Sequence, residues 1–262
     1  MEIFRQPIVF ITGSFIGNNC WNEWKLFFES KGYRCVAPSW PHKDASPEEL
    51  RNRHPDMAIA SNRLCDLIDY FADITRTQTE KPILIGHSLG GLVAQLLLHR
   101  GLATAAVVIH SFPPAGFSIS EFSFLKSCWE TMGFFTSVQK TYLISFKKWK
   151  HTIAYGMTCE MQKEMYYKYA VPESKMIIRD AINGVLKIKL KIPHAPILFT
   201  SGSDDRMVPA SVNYDSFKKY TRPDSITGYR EFKGFNHLVF DYPAWKEEAE
   251  YILSWLQGLN KH

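Results

Sequence analysis

Short apolar runs punctuate this chain at regular intervals. Ile8-Val9-Phe10-Ile11, Pro82-Ile83-Leu84-Ile85, Ala105-Ala106-Val107-Val108-Ile109 and Ala195-Pro196-Ile197-Leu198-Phe199 are apolar at every position, while Arg34-Cys35-Val36-Ala37 and Thr227-Gly228-Tyr229-Arg230-Glu231-Phe232 are more mixed. A run that is apolar on successive residues suits a parallel strand covered on both faces. Helical patterns lie between the runs, at Trp24 to Lys31, 57 to 76, Gly91 to Leu98, 210 to 220 and 243 to 257. In the second of these, Ile59, Leu64, Leu67, Ile68 and Phe71 form the apolar stripe of a long helix. Pro38 to Pro55 is polar and proline-containing and reads as a loop. Strands alternating with helices predict an α/β fold with a doubly wound, mostly parallel sheet.

The alternation fails between Phe112 and Ile192, a stretch that reads as three or four helices dense in large apolar residues. They are Phe117, Phe122, Phe124, Trp129, Met132, Phe134, Phe135, Tyr142, Phe146, Trp149, Tyr155, Met157, Met161, Met165, Tyr166, Tyr167 and Tyr169. With 262 residues and no linker or repeat, the chain is expected to form one core, residues 1–111 and 193–262, carrying residues 112–192 as a helical insertion.

Composition narrows the function classes. A 45% hydrophobic and 22% charged chain is globular, and its net charge of +5 is scattered apart from Lys147-Lys148-Trp149-Lys150, which reads as a solvated helix face. No nucleic-acid partner is expected. The N-terminus lacks the pattern of an export signal, and no apolar run is long enough for membrane insertion, so a soluble, cytoplasmic protein is expected. The five cysteines, Cys20, Cys35, Cys65, Cys128 and Cys159, are odd in number and widely spaced, which suits free thiols better than disulfides or structural zinc.

The chemistry centres on Gly86-His87-Ser88-Leu89-Gly90, a G-x-S-x-G motif with an apolar strand before it and a helix after it. A strand that reverses sharply into a helix holds the serine in a strained conformation and needs glycines two residues either side. A serine hydroxyl also needs a base within hydrogen-bond reach and an acid to orient that base. Of the nine histidines, His237 in Gly234-Phe235-Asn236-His237-Leu238 follows the last strand, at the sheet edge where Ser88 emerges. The acid is sought in Gly202-Ser203-Asp204-Asp205-Arg206-Met207-Val208-Pro209, where the residues alone do not separate Asp204 from Asp205.

With its motifs in the order Ser, acid, His, the chain from residue 7 to 260 resembles the α/β-hydrolase fold superfamily. The likeness is to its small, cofactor-free esterase, lactonase and haloperoxidase-like members with a helical cap. The resemblance implies that residues 112–192 form the cap, with roughly a third of its large side chains facing a substrate pocket. The family's G-x-x-D-x-x-V-P stretch implies Asp205 as the triad acid, with Asp204 as the alternative. It also implies an oxyanion hole built from the backbone N–H groups of Leu89 and Ser14, or of Phe15 if the loop is shifted by one residue. Thr12-Gly13 stands where relatives usually carry His-Gly, a change that spares a backbone donor. The usual N-terminal hairpin is expected to be reduced or absent.

The expected activity is hydrolysis of a small, largely apolar carboxylic ester or lactone through an acyl-enzyme on Ser88. Neither a metal nor a cofactor is implied, and the partner is a small-molecule substrate acted on by a monomer or homodimer. A C–C bond hydrolase, a hydroxynitrile-lyase-like enzyme and a non-enzymatic small-molecule receptor are the alternatives on the same fold. The lyases place lysine after the catalytic histidine, whereas this chain has Leu238.

Overall fold

Strands that are apolar on every residue pair only where helices can cover both faces of the sheet. The computed structural model describes residues 6–114, 132, 136–184, 188, 190, 192–241 and 245–259. Its centre is a six-stranded sheet of β1 (Ile8–Ile11), β2 (Cys35–Val36), β3 (Ile83–His87), β4 (Ala105–Ile109), β5 (Ile197–Gly202) and β6 (Thr227–Phe232). The order is β2-β1-β3-β4-β5-β6 and every pair is parallel. β1, β3, β4 and β5 are buried along their whole length.

The chain steps outward from β1 to β2, then back across β1 to β3. Right-handed crossovers in the two directions place the intervening helices on opposite faces. Accordingly α1 (Asn22–Glu29) packs with α10 (Trp245–Leu259), whereas α4 (Leu64–Arg76) packs with α5 (Leu89–His99). α9 (Ala210–Phe217) lies against β5 and β6. The reversal of strand order beside β1 is a switch point, where the carboxyl ends of adjacent strands open a crevice.

Two sequence expectations change here. The polar loop from Pro38 to Pro55 contains a short helix, α2 (Pro47–Asn52), started by a capping box between Ser46 and Glu49 with Pro47 in its first turn. The long helix expected over 57 to 76 is two, α3 (Met57–Ala60) and α4. The break has a tertiary cause: the Ser174 hydroxyl donates to the Ala60 and Asn62 carbonyls (3.1 and 2.8 Å), and the Asn62 amide side chain donates to Pro41 O (2.9 Å).

Between β4 and β5 lie α6 (Phe146–His151), α7 (Cys159–Tyr169) and α8 (Lys175–Asn183). Pro172 follows the end of α7, and Ser174 caps α8 by accepting from Met176 N (3.2 Å). Much of the aromatic content here packs on itself. Phe146 and Trp149 meet the Tyr166 ring at 5.4 and 5.6 Å, and the Tyr166 hydroxyl donates to Ile144 O. Tyr142 reaches the loop after β1, with its ring 5.8 Å from Phe15. Phe117, Phe122, Phe124, Trp129, Phe134, Phe135 and Cys128 lie outside the described residues. Cys20, Cys35, Cys65 and Cys159 are free thiols. Among the described residues no helix is long and apolar enough to cross a membrane.

Candidate active site

β3 is flanked by β1 and β4, with Gly86 in register with Ile11 on one side and Val108 on the other. The next residues must turn into α5 within that enclosure, and Ser88 does so at φ 54°, ψ −121°. Such a conformation costs a non-glycine residue about 1–3 kcal/mol and persists only where the surroundings impose it. The two glycines are required by space: a Cβ on Gly86 would lie 2.3 Å from Gly90 O, and one on Gly90 2.2 Å from Ile11 O. Ser88 N donates to Ile109 O, and Ser88 O accepts from Gly91 N and Phe112 N. The turn is therefore tied to β4 and to α5, whose positive N-terminal end begins at Leu89.

Ser88, His237 and Asp205 are brought together although they lie far apart in the chain. His237 Nε2 is 3.1 Å from Ser88 Oγ, and His237 Nδ1 is 2.7 Å from Asp205 Oδ2. All three are buried, with Ser88 7% exposed. Asp205 Oδ1 accepts from the amides of Met207 and Val208, each at 2.8 Å. Asp204 points away: it is exposed, its amide donates to Phe235 O, and its Oδ1 accepts from Ser203 Oγ.

The sequence reading missed His110. This residue directly follows β4 at φ 48°, and its Nδ1 donates to the same Asp205 Oδ2 at 2.8 Å. A signal was present, because a histidine ending an apolar strand stands on the same sheet edge as His237. Its room depends on β5, since a Cβ on Gly202 would lie 2.7 Å from His110 Cε1. His87 fills the space on the other side, its Nε2 2.9 Å from His237 O and its ring 4.6 Å from the His237 ring.

The loop after β1 lies against the serine, since a Cβ on Gly13 would be 2.7 Å from Ser88 Cβ. Thr12 is held by two indoles: Trp21 Nε1 donates to its hydroxyl (3.0 Å) and Trp40 Nε1 to its carbonyl (3.1 Å). Of the two candidate loop amides, that of Phe15 is engaged with Glu173 Oε2 at 3.4 Å, in a residue held at φ 66°. Glu173 also accepts from its neighbour Ser174 N and pairs with Lys43, both charges being buried. The adjoining stretch runs alongside the loop, with Gly17 N donating to Tyr169 O and Val171 N to Phe15 O, each at 2.9 Å.

Protonation follows from these contacts. Burial would raise the Asp205 carboxyl, but the charge of His237 and the hydrogen bonds from His110 and His237 outweigh it and hold the group far below the ordinary carboxylate range. Burial presses on His110 as well, yet the bond and charge of Asp205, with Glu248 beyond, lift it above the ordinary imidazole value. His87 is held well below that value by burial and by the neighbouring His237 and His110. Lys43 is lowered by burial, against the pull of Glu173.

His110, Asp205 and His237 have donor atoms within 4.8 Å of one another, a spacing that invites comparison with a metal site. Their N···O distances of 2.7 and 2.8 Å are those of two hydrogen bonds sharing one oxygen. Ligands around a tetrahedral zinc stand about 3.3 Å apart. The group is closed on itself by protons.

A model of the alpha/beta hydrolase family matches residues 8–245. Solved structures with this architecture include an extracellular alpha/beta-hydrolase from a Paenibacillus species, with TM-score 0.71, 18% identity, and coverage of 95% of this chain and 98% of that one. A methylesterase from Arabidopsis has TM-score 0.69 and 13% identity over 97% of this chain and 99% of its own. The monoacylglycerol lipase of Paleococcus ferrophilus has TM-score 0.64 and 19% identity over 97% and 96%. Norfluorocurarine synthase 2 from a Strychnos species is 26% identical over 125 residues, a match that spans 45% of this chain and 45% of that relative's length. The family's pattern runs from the first residue of β1 to the first residue of α10, and the chain belongs to the alpha/beta hydrolase family.

Proposed function

We propose that this protein is a serine hydrolase that cleaves a small, largely apolar carboxylic ester or lactone. Ser88 attacks the carbonyl while His237 takes its proton, and Asp205 orients the imidazole and stabilises its charged form. The amides of Leu89 and Ser14 hold the oxyanion, the engaged amide of Phe15 favouring Ser14. His237 returns the proton to the leaving group, then activates the water that releases the acid. Residues 112–192 act as the cap that shapes the pocket, and no cofactor takes part. The enzyme works as a cytoplasmic monomer or homodimer.

The observation that carries this reading is the unbroken contact from Ser88 Oγ through His237 to Asp205, built on a strained serine. Fold neighbours whose names denote a methylesterase and a monoacylglycerol lipase add support from ester chemistry.

The test is turnover of p-nitrophenyl esters from C2 to C12, and of several lactones, by the wild type and by Ser88→Ala and His237→Ala. Both variants are expected to lose about 10⁴-fold or more in kcat while remaining folded. A folded wild type that turns over none of these substrates overturns the proposal.

A further inference from the structure

An orienting carboxylate with a single imidazole partner can rotate, and its second oxygen competes for that partner. Asp205 has no such freedom. Its Oδ1 accepts the Met207 and Val208 amides, and its Oδ2 accepts His237 Nδ1 and His110 Nδ1, so its hydrogen-bonding positions are filled. The side chains of His110 and Asp205 are wholly buried and that of His237 is 3% exposed. The second imidazole sits in a confined place: His110 adopts φ 48°, and a Cβ on Gly202 would lie 2.7 Å from its ring as well as 2.2 Å from Phe235 O.

We infer that His110 is a positioning residue of the active site: it locks the Asp205 oxygen that orients His237 and shares that oxygen's charge, so that His237 receives less of it. The inference rests on the proposed hydrolase reading for its catalytic consequence, though not for its geometry. His110 is faced by Asp205 from the loop after β5, by Thr200 within β5, by His87 from β3 at a ring distance of 6.3 Å, and by His237 at 6.1 Å. From α10 the fully buried Glu248 lies beside Thr200 and within electrostatic reach of His110, with no hydrogen bond of ordinary geometry at either oxygen. His237 is faced by Ser88, Asp205, His87 and His110. The bond and charge of Asp205 outweigh burial at His110 and favour its charged form, as the two imidazoles favour the charged form of Asp205.

The experiment uses the full chain with His110→Ala and His110→Asn. Asparagine keeps an N–H donor and tolerates a positive φ, but it cannot carry charge. His110→Ala is expected to lower kcat about ten- to a hundredfold with KM nearly unchanged. It should also move the acidic limb of kcat/KM upward by about half a pH unit or more, because Asp205 then acts on His237 alone. His110→Asn is expected to restore most of kcat while keeping an upward shift of the limb, and it carries the test if the alanine variant does not fold. An activity-independent readout is proton NMR in the far-downfield region. The wild type is expected to show two imidazole N–H resonances, one lost in His110→Ala or His110→Asn and the other in His237→Ala. A wild-type limb and kcat in both His110 variants, or a single resonance in the wild type, overturns the inference. Two resonances in a wild type that hydrolyses no ester would uphold the double anchoring of Asp205 and overturn the hydrolase reading instead.

Discussion

Two buried ionic clusters flank Ser88, and they are assembled from different material. The cluster around Asp205 draws on the ends of β4 and β5 and the loop after β6, so sheet register sets the spacing of its members. The cluster around Glu173 joins Lys43, Glu173 and the Phe15 amide, which lie on three irregular stretches separated by 130 and 158 residues. In the first, a rigid frame presents the charges. In the second, the charges hold the frame: the bond to Phe15 keeps the loop beside Ser88 in its left-handed turn. Disturbing the first should therefore cost chemistry, and disturbing the second should cost stability before it costs chemistry.

The largest expected effect breaks the first cluster. Asp205→Asn keeps the side-chain shape but reverses the hydrogen bonding that orients His237, and kcat of the folded variant is expected to fall about 10⁴-fold. Asp204→Asn, on the exposed neighbour, is expected to stay within a few-fold of wild type. Equal losses in the two variants would undo the assignment of Asp205.

Next in size is the loop-borne pair. Glu173→Gln leaves Lys43 buried without its counter-ion, at an expected cost of about 3–5 kcal/mol in denaturant unfolding. The double variant Lys43→Met/Glu173→Gln should recover a large part of that loss, because the unpaired charge goes with the lysine. A double variant as unstable as the single one would mean that hydrogen bonds rather than charge hold this region.

A third cluster, of packed rings at the far end of α5, sharpens the comparison with a smaller effect. His99 packs against His194 and Tyr220, and burial with the nearby His194 brings it down to about 4. The unfolded state, near 6.5, thus binds the proton first as pH falls. The stabilisation from a neutral His99 is complete above about pH 6.5 and drains away as pH drops toward 4, on the order of 1 kcal/mol after allowing for its partial exposure. The Asp205 carboxylate behaves differently: its contribution is present above the ordinary carboxylate range and is lost only well below pH 4. Thermal melts at pH 7 and pH 4.5 should show a smaller acid loss in His99→Gln than in wild type. An unchanged loss would assign the acid sensitivity elsewhere.

Much of the frame is legible in the sequence. β1 and β4 fall on the apolar runs expected for them, and β6 on its mixed run. The elbow was legible because its requirements are local: two glycines, a serine, a strand before and a helix after. The signal for α2 was also local, a Ser-Pro-Glu-Glu start, but it was hidden inside a stretch read as a polar loop. The break between α3 and α4 carried no local mark, since Ser174, a remote residue, takes the carbonyls that a continuous helix would use.

The sequence by itself determined the parallel sheet, the strained turn at Ser88 and the edge on which His237 stands, because apolar runs and glycine spacing act within a few residues. The tertiary structure alone decided which of two adjacent aspartates meets His237, that a second imidazole shares its oxygen, and that Lys43 and Glu173 close over the loop beside Ser88. Those choices join residues 32 to 158 positions apart, and they depend on where loops land once the sheet has formed.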